Sequence, residues 1–202
     1  EGNRTDALVQ YADILPTLVD LAGGNPKAYP YDGRSFKASL LNNTNKHRKF
    51  VYGIHNNIPE GPPYPIRSVS DGEYHYIRNL LPAEIYMEKH LMGTRGNGSL
   101  NNPYWSTWIW DSWNNPRTYR LVKRFMHRPA EQLYNINYDP YEMNNLANSK
   151  EHYKQLTKLR GELDKWMNAQ KDPGATVDTI EAIQASRKNK HLHGRDATKT
   201  IR

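Results

Sequence analysis

Apolar positions set the first expectations. Ile14, Leu15, Leu18, Val19 and Leu21 recur at helical spacing behind Asp13, a candidate N-cap, with Pro16 in the first turn and Gly23-Gly24 as the stop. Ahead of them, residues 7–10 read as a short strand. From Lys49 the period shortens to two: residues 49–57 predict a half-buried strand, and residues 66–69 open a second. Asp71-Gly72 is a hairpin turn signal, and residues 73–80 return as the third strand. Residues 80–128 read as irregular, with Gly93, Gly96 and Gly98 around a loop. Residues 132–135 form a short strand ended by Asp139-Pro140. The clearest helix spans about residues 150–170 after Ser149 as N-cap, with Leu156, Leu159, Leu163, Trp166 and Met167 on one face. Pro173-Gly174 ends it; a short helix near residues 177–186 and then a disordered tail are expected.

Composition narrows the chemistry. The chain has 202 residues, 37% hydrophobic and 11% aromatic, enough for one modest domain or two subdomains in which Tyr and Trp carry much of the burial. No apolar run approaches a membrane span and the N-terminus is no signal peptide, so no membrane partner is expected. A start without Met, running straight into pattern, suits a fragment. With no Cys there are no disulfides, zinc–thiolate sites or Cys nucleophiles. The net charge of +7 gathers in the tail, where six basic residues face one acid from Ser186 onward. A solvated tail accounts for it better than a nucleic-acid arm, so no nucleic-acid partner is expected. Sequons at Asn3, Asn42 and Asn97 are compatible with secretion.

Self-contained catalytic motifs are missing. The eight His form no H-E-x-x-H pattern, and His191-x-His193 lies in the tail. The sequence has no G-x-S-x-G elbow, P-loop, dinucleotide fingerprint or closely spaced calcium loop. Catalytic and metal-ligating residues are therefore assigned to no position.

The order of ordinary-looking segments says more. The run from Tyr11 to Gly23, with Asp13, Pro16 and Thr17, resembles the D-x-x-P-T helix near the end of the sulfatase catalytic domain. Gly33-Arg34-Ser35-Phe36 resembles the G-R-S turn that follows it. Arg67-Ser68-Val69 through Tyr74-His75-Tyr76-Ile77 is similar to the family's R-[TS]…K-Y-I hairpin, with His75 in place of Lys. Leu133-Tyr134-Asn135, then Asp139-Pro140-Tyr141-Glu142 and Asn145-Leu146-Ala147, is similar to the closing L-Y-D…D-P-x-E-x-x-N-L-A motif. Together these cover about residues 7–170. Gly53 to Asn57, Tyr64 to Val69, Asn79 and the aromatic insertion look like the sulfamidase (heparan N-sulfatase) branch, with other glycosaminoglycan sulfatases still open.

The resemblance implies an α+β chain: residues 1–48 as the end of an alkaline-phosphatase-like α/β catalytic domain, residues 49–175 as a small antiparallel sheet packed on a long C-terminal helix, and residues 176–202 as the basic tail. It implies an extracytoplasmic glycan sulfatase whose formylglycine nucleophile attacks sulfur and whose calcium neutralises sulfate oxygens. Those groups would lie upstream of Glu1, in the missing N-terminal catalytic domain of the same chain, leaving this part inactive alone. Sulfated glycan is then the partner, probed by His55, Asn56, Tyr64 and Arg67. Each also has a structural reading: a satisfied strand His, turn-forming Asn and Tyr, and an internal ion pair for Arg67. Trp105, Trp108, Trp110 and Trp113 either stack on sugar rings or, the favoured reading, join the insertion to the domain body. The rival outside enzymes is a non-catalytic glycan- or protein-binding module built on that insertion. Within enzymes it is a phosphodiesterase or phosphatase of the same superfamily.

Overall fold

The computed structural model describes residues 4–41, 43–58, 61–93, 102–177 and 179–188. The sequon residues Asn3, Asn42 and Asn97, Gly96, Gly98 and the tail beyond residue 188, with His191 and His193, lie outside the described residues. In chain order the elements are α1 (Ile14–Leu21), α2 (Lys37–Leu40), β1 (Val51–His55), β2 (Ile66–Ser70), β3 (Tyr74–Asn79), α3 (Lys89–Met92), α4 (Pro103–Ser112), α5 (Pro116–Met126), β4 (Glu131–Asn135), α6 (Tyr153–Ala169) and α7 (Ile180–Lys188). The strands form one antiparallel sheet in the order β1-β2-β3-β4, which makes the chain α+β with a long C-terminal helix. Two compact units interleave in sequence: Glu1–Gly53, Ser68–Tyr76 and Leu133–Asp164 form the first, and Ile54–Arg67, Ile77–Gln132 and Lys165–Arg202 the second. Among the described residues no helix is long and apolar enough to cross a membrane.

The first unit's core takes three of the five residues of the predicted α6 stripe, while Trp166 and Met167 are only half-buried. Leu156, Leu159 and Leu163 of α6 are buried, as are Val69, Tyr76, Leu133 and Tyr134 of the strands. Each fully buried Leu contributes about 1.5–3 kcal/mol. Polar contacts set the helix on the strands: the Tyr52 hydroxyl donates to Glu162 at 3.0 Å, and Gln155 and Lys158 donate to Asp71 at 2.8 and 2.9 Å. Asp71 also accepts the Tyr74 amide at 2.8 Å, and Gly72 takes φ +92°, so one turn shapes the hairpin and receives the helix.

Several motif residues prove to be wiring. Asp13 does not cap α1 with its side chain. Its fully buried carboxylate instead accepts the amides of Gln10 and Arg34, both at 2.9 Å, and pairs with Arg48 and with His47. Thr17 donates to the Asp13 carbonyl at 2.6 Å and accepts the Phe36 amide at 3.0 Å. The D-x-x-P-T helix and the G-R-S-F turn are thereby sewn together. Gly33 is required there, since a Cβ would overlap the Ala12 carbonyl. Asn145 accepts the amides of Leu133 and Ala147 at 2.9 and 3.0 Å, tying the closing motif to β4.

Three local expectations change. Residues 7–10 give a single bridge, Leu8 to Arg48, because the Gln10 amide goes to Asp13 instead of a neighbouring strand. Ser149 makes no side-chain cap; its hydroxyl pairs with His152 at 2.9 Å, and residues 150–152 form a 3-10 turn before α6. Residues 80–128 are largely helical. Asn102 and Asn115 cap α4 and α5, each followed by Pro at the first helical position.

On α1 the apolar stripe faces outward: Leu15 and Leu18 are each 56% exposed, Leu21 46% and Ile14 41%. Such a patch favours association. The isolated chain is expected to bind a hydrophobic dye and to run above its monomer mass on size exclusion. Leu15→Lys with Leu18→Lys should reduce both; a monodisperse, dye-silent wild-type chain would contradict this.

Candidate functional site

The four residues singled out in the sequence converge within the second unit. His55 ends β1, Asn56 and Asn57 turn the chain, and Tyr64 and Arg67 lie before and within β2. Arg67 is 1% exposed and its guanidinium is fully committed. Nε and Nη2 donate to the two oxygens of Asp172 at 2.5 and 2.9 Å, a fork-on-carboxylate pair. Nη1 donates to Asn56 Oδ1 at 2.8 Å and to the carbonyls of Ile66 and His55 at 2.9 and 3.4 Å. Its geometry is the internal ion pair. The Arg67 hydrogen bonds hold the Asp172 carboxyl below its ordinary range, against the opposing effect of burial. Asp172 also accepts the Gly174 amide at 2.9 Å, so the break after α6 is anchored on Arg67.

Aromatic rings pack beside this pair. Tyr64 is fully buried and meets Tyr86 edge to face at 5.2 Å; Tyr86 meets Phe125 likewise at 5.4 Å. The Arg128 guanidinium lies 3.9 Å from the Tyr86 ring centre. Burial raises both phenol pKa values above the ordinary one, opposed by the Arg128 charge. The His55 ring is 6.0 Å from Tyr86, and its Nε2 is buried with no hydrogen-bond partner among the described residues. Asn57 adopts φ +59° and donates to the carbonyls of Pro62 and Met87 at 2.5 and 3.0 Å. Its Oδ1 is likewise buried without a partner among the described residues. Two buried polar atoms without partners among the described residues, on residues two apart in the chain, mark places where a polar group would be bound favourably.

Sequence reasoning missed Asn57, Tyr86, Arg128 and Asp172. Asp172 had one usable signal, its place before the Pro173-Gly174 break; nothing local marks Arg128. In the first unit, a cleft of about 390 Å³ is lined by Arg34, His47, Arg48, Lys49, Phe50 and Tyr52. Arg48 is already engaged by Asp13 there.

The Trp residues divide. Trp105 is 8% exposed and packs on Phe125 at 5.7 Å, whereas Trp110 and Trp113 are 77% and 85% exposed. Phe125 belongs to the same insertion, so this contact joins α4 to α5 within it.

Neither calcium nor formylglycine finds a fit among the described residues. Among the described residues no three His, Asp or Glu side chains come together to hold a metal. The sequence has no Cys and no Ser in an S-x-P-x-R setting from which formylglycine is made.

No family model matches the sequence. An ulvan-active sulfatase of Formosa agariphila is 31% identical over 175 residues, which is 85% of this chain and 31% of that protein. The chain is homologous to sulfatases. Two solved structures agree: a Bacteroides thetaiotaomicron protein assigned to the sulfatases and a 2-O glycosaminoglycan sulfatase. Their TM-scores are 0.51 and 0.50 at 25% identity, each over 79% of this sulfatase-like chain and 25% of the solved one. The chain thus spans under a third of the curated relatives it matches, 31% and 26% of their lengths.

Proposed function

We propose that this chain is the C-terminal part of an extracytoplasmic glycan sulfatase that hydrolyses sulfate esters or sulfamates, with N-sulfoglucosamine of heparan-type chains as substrate. The observation that carries the reading is sequence identity with a polysaccharide sulfatase along 85% of the chain. The relatives' names, ulvan-active and 2-O glycosaminoglycan sulfatase, support a sulfated polysaccharide. The sulfamate preference rests on the sulfamidase-like residues 53–57 and 64–69. In this reading the reacting groups, formylglycine and calcium among them, come from a catalytic domain outside these residues, and the exposed face of α1 docks on it.

Within the cluster the four residues take different roles. Arg67 is a positioning residue: it holds Asn56 and the His55 carbonyl, and Tyr64 walls the same region. His55 presents the unpaired Nε2 and is the substrate contact, accepting from or donating to a sugar hydroxyl.

The test is sulfate release from N-sulfoglucosamine, 2-O-sulfated disaccharides and ulvan oligosaccharides by protein made from the complete reading frame. Release from the first substrate above the others supports the proposal. Release from none, or from phosphodiesters only, overturns it. The 202-residue chain assayed alone should release no sulfate above a heat-killed control; turnover by it would place a nucleophile among these residues.

A further inference from the structure

The α4–α5 hairpin presents a surface that the cluster around Arg67 does not use. Its helices are capped at their starts and packed on each other. Asn102 accepts the Tyr104 amide at 3.0 Å, Asn115 accepts the amides of Arg117 and Thr118 at 3.1 and 3.3 Å, and Trp105 of α4 packs on Phe125 of α5. What it leaves outside is unusual in two ways. Trp110 and Trp113, three residues apart, are 77% and 85% exposed. Arg117, Arg120 and Lys123 of α5 are exposed as well, with no ion pair or side-chain hydrogen bond among the described residues. The α5 sequence contains no acid. The one acid of α4, Asp111, accepts from Asn115 at 3.0 Å and from Thr118 and forms no ion pair with those cations among the described residues, so the two helices keep an excess of positive charge.

We propose that this hairpin binds a sulfated polysaccharide along its length, the indoles lying on pyranose C–H faces and the cations pairing with sulfate or carboxylate groups. Exposed large aromatics on a fixed scaffold supply contact area at little entropic cost. Unpaired guanidinium groups match oxyanions by a planar fork. A polymer that carries a ring and a charge in each repeat satisfies both features at once. A lipid surface would need one continuous apolar face, whereas the exposed Trp110 and Trp113 are separated by Asp111 and Ser112 and the aliphatic Ile109 and Leu121 are only 42% and 39% exposed. The choice of ligand rests on the glycan-sulfatase reading; the surface itself does not.

The intact 202-residue chain is titrated with heparin and ulvan oligosaccharides, followed by tryptophan fluorescence and calorimetry. Saturable quenching that weakens with added salt is expected, with no response to neutral xylan. Trp110→Ala with Trp113→Ala should lower the affinity at least about tenfold, the loss typical of central aromatic contacts. Arg117→Ser with Arg120→Ser should lower it similarly and flatten the salt dependence. Circular dichroism checks the fold; if the Trp variant misfolds, the Arg variant carries the test. A flat titration, unchanged affinity in the variants, equal binding of xylan, or preferential capture by anionic phospholipid vesicles would each overturn the proposal. Sulfate release by protein from the complete reading frame is measured separately, so loss of hairpin binding with turnover intact leaves the sulfatase reading standing.

Discussion

Asp172→Ala is expected to destabilise the chain by about 3–5 kcal/mol, the usual cost of leaving one partner of a buried ion pair alone. Arg67 is 1% exposed and Asp172 supplies two of its hydrogen bonds, so the variant strands a guanidinium charge out of water. The loss should be larger than for removal of an exposed pair such as Lys158 with Asp71, where the lysine is 52% exposed. Arg67→Met combined with Asp172→Leu should recover much of the loss, because neither desolvated charge remains. Urea unfolding of the two variants beside wild type measures this. A shift below about 1 kcal/mol for Asp172→Ala would mean that the guanidinium finds water, and the cluster would lose its structural centre.

Stability should fall steeply in acid, and Asp13 should be a principal cause. Burial alone would push its carboxyl up, but hydrogen bonds from Arg48 and from the amides of Arg34 and Gln10 outweigh that and hold it well below the ordinary range. Asp172 is lowered too, and so is Asp71, where hydrogen bonds from Lys158 and Tyr74 overcome burial. A carboxyl whose pKa is depressed in the folded state contributes stability above its unfolded value, about 3.9, and loses it as pH falls towards the folded value. Urea midpoints should therefore be level from pH 7 to about 5 and drop progressively below about 4. Asp13→Asn should lower the midpoint at pH 7 by the equivalent of about 3 kcal/mol and make the acid decline shallower. A variant with wild-type midpoints and an unchanged acid slope would remove Asp13 from this role.

Such hubs also explain which parts of the fold were legible. The hairpin of β2 and β3 was readable because alternation and an Asp-Gly turn are properties of neighbouring residues. The α6 stripe was readable for the same reason, at a period of 3.6. The α4–α5 hairpin was not, although Asn-Pro at both starts was available as a signal. Trp, Tyr and Thr have middling helix propensity, and each helix buries only a narrow face, so apolar periodicity was a poor guide. The site followed the same division. His55, Asn56, Tyr64 and Arg67 sit close together in sequence around one strand connection, and they meet in space. Their partners Tyr86, Arg128 and Asp172 come from remote segments, and no local pattern points to them.

By itself, then, the sequence determined the strands, the turn between β2 and β3, the long helix and the resemblance to sulfatases, all of which depend on residue order over short spans. Only the tertiary structure decided what the charged residues do. Arg67 lies 105 positions from Asp172 and Asp13 lies 35 from Arg48. Whether such groups face solvent, a ligand or each other depends on which remote segment folding brings alongside. The cost of an unpaired buried charge then makes that choice binding.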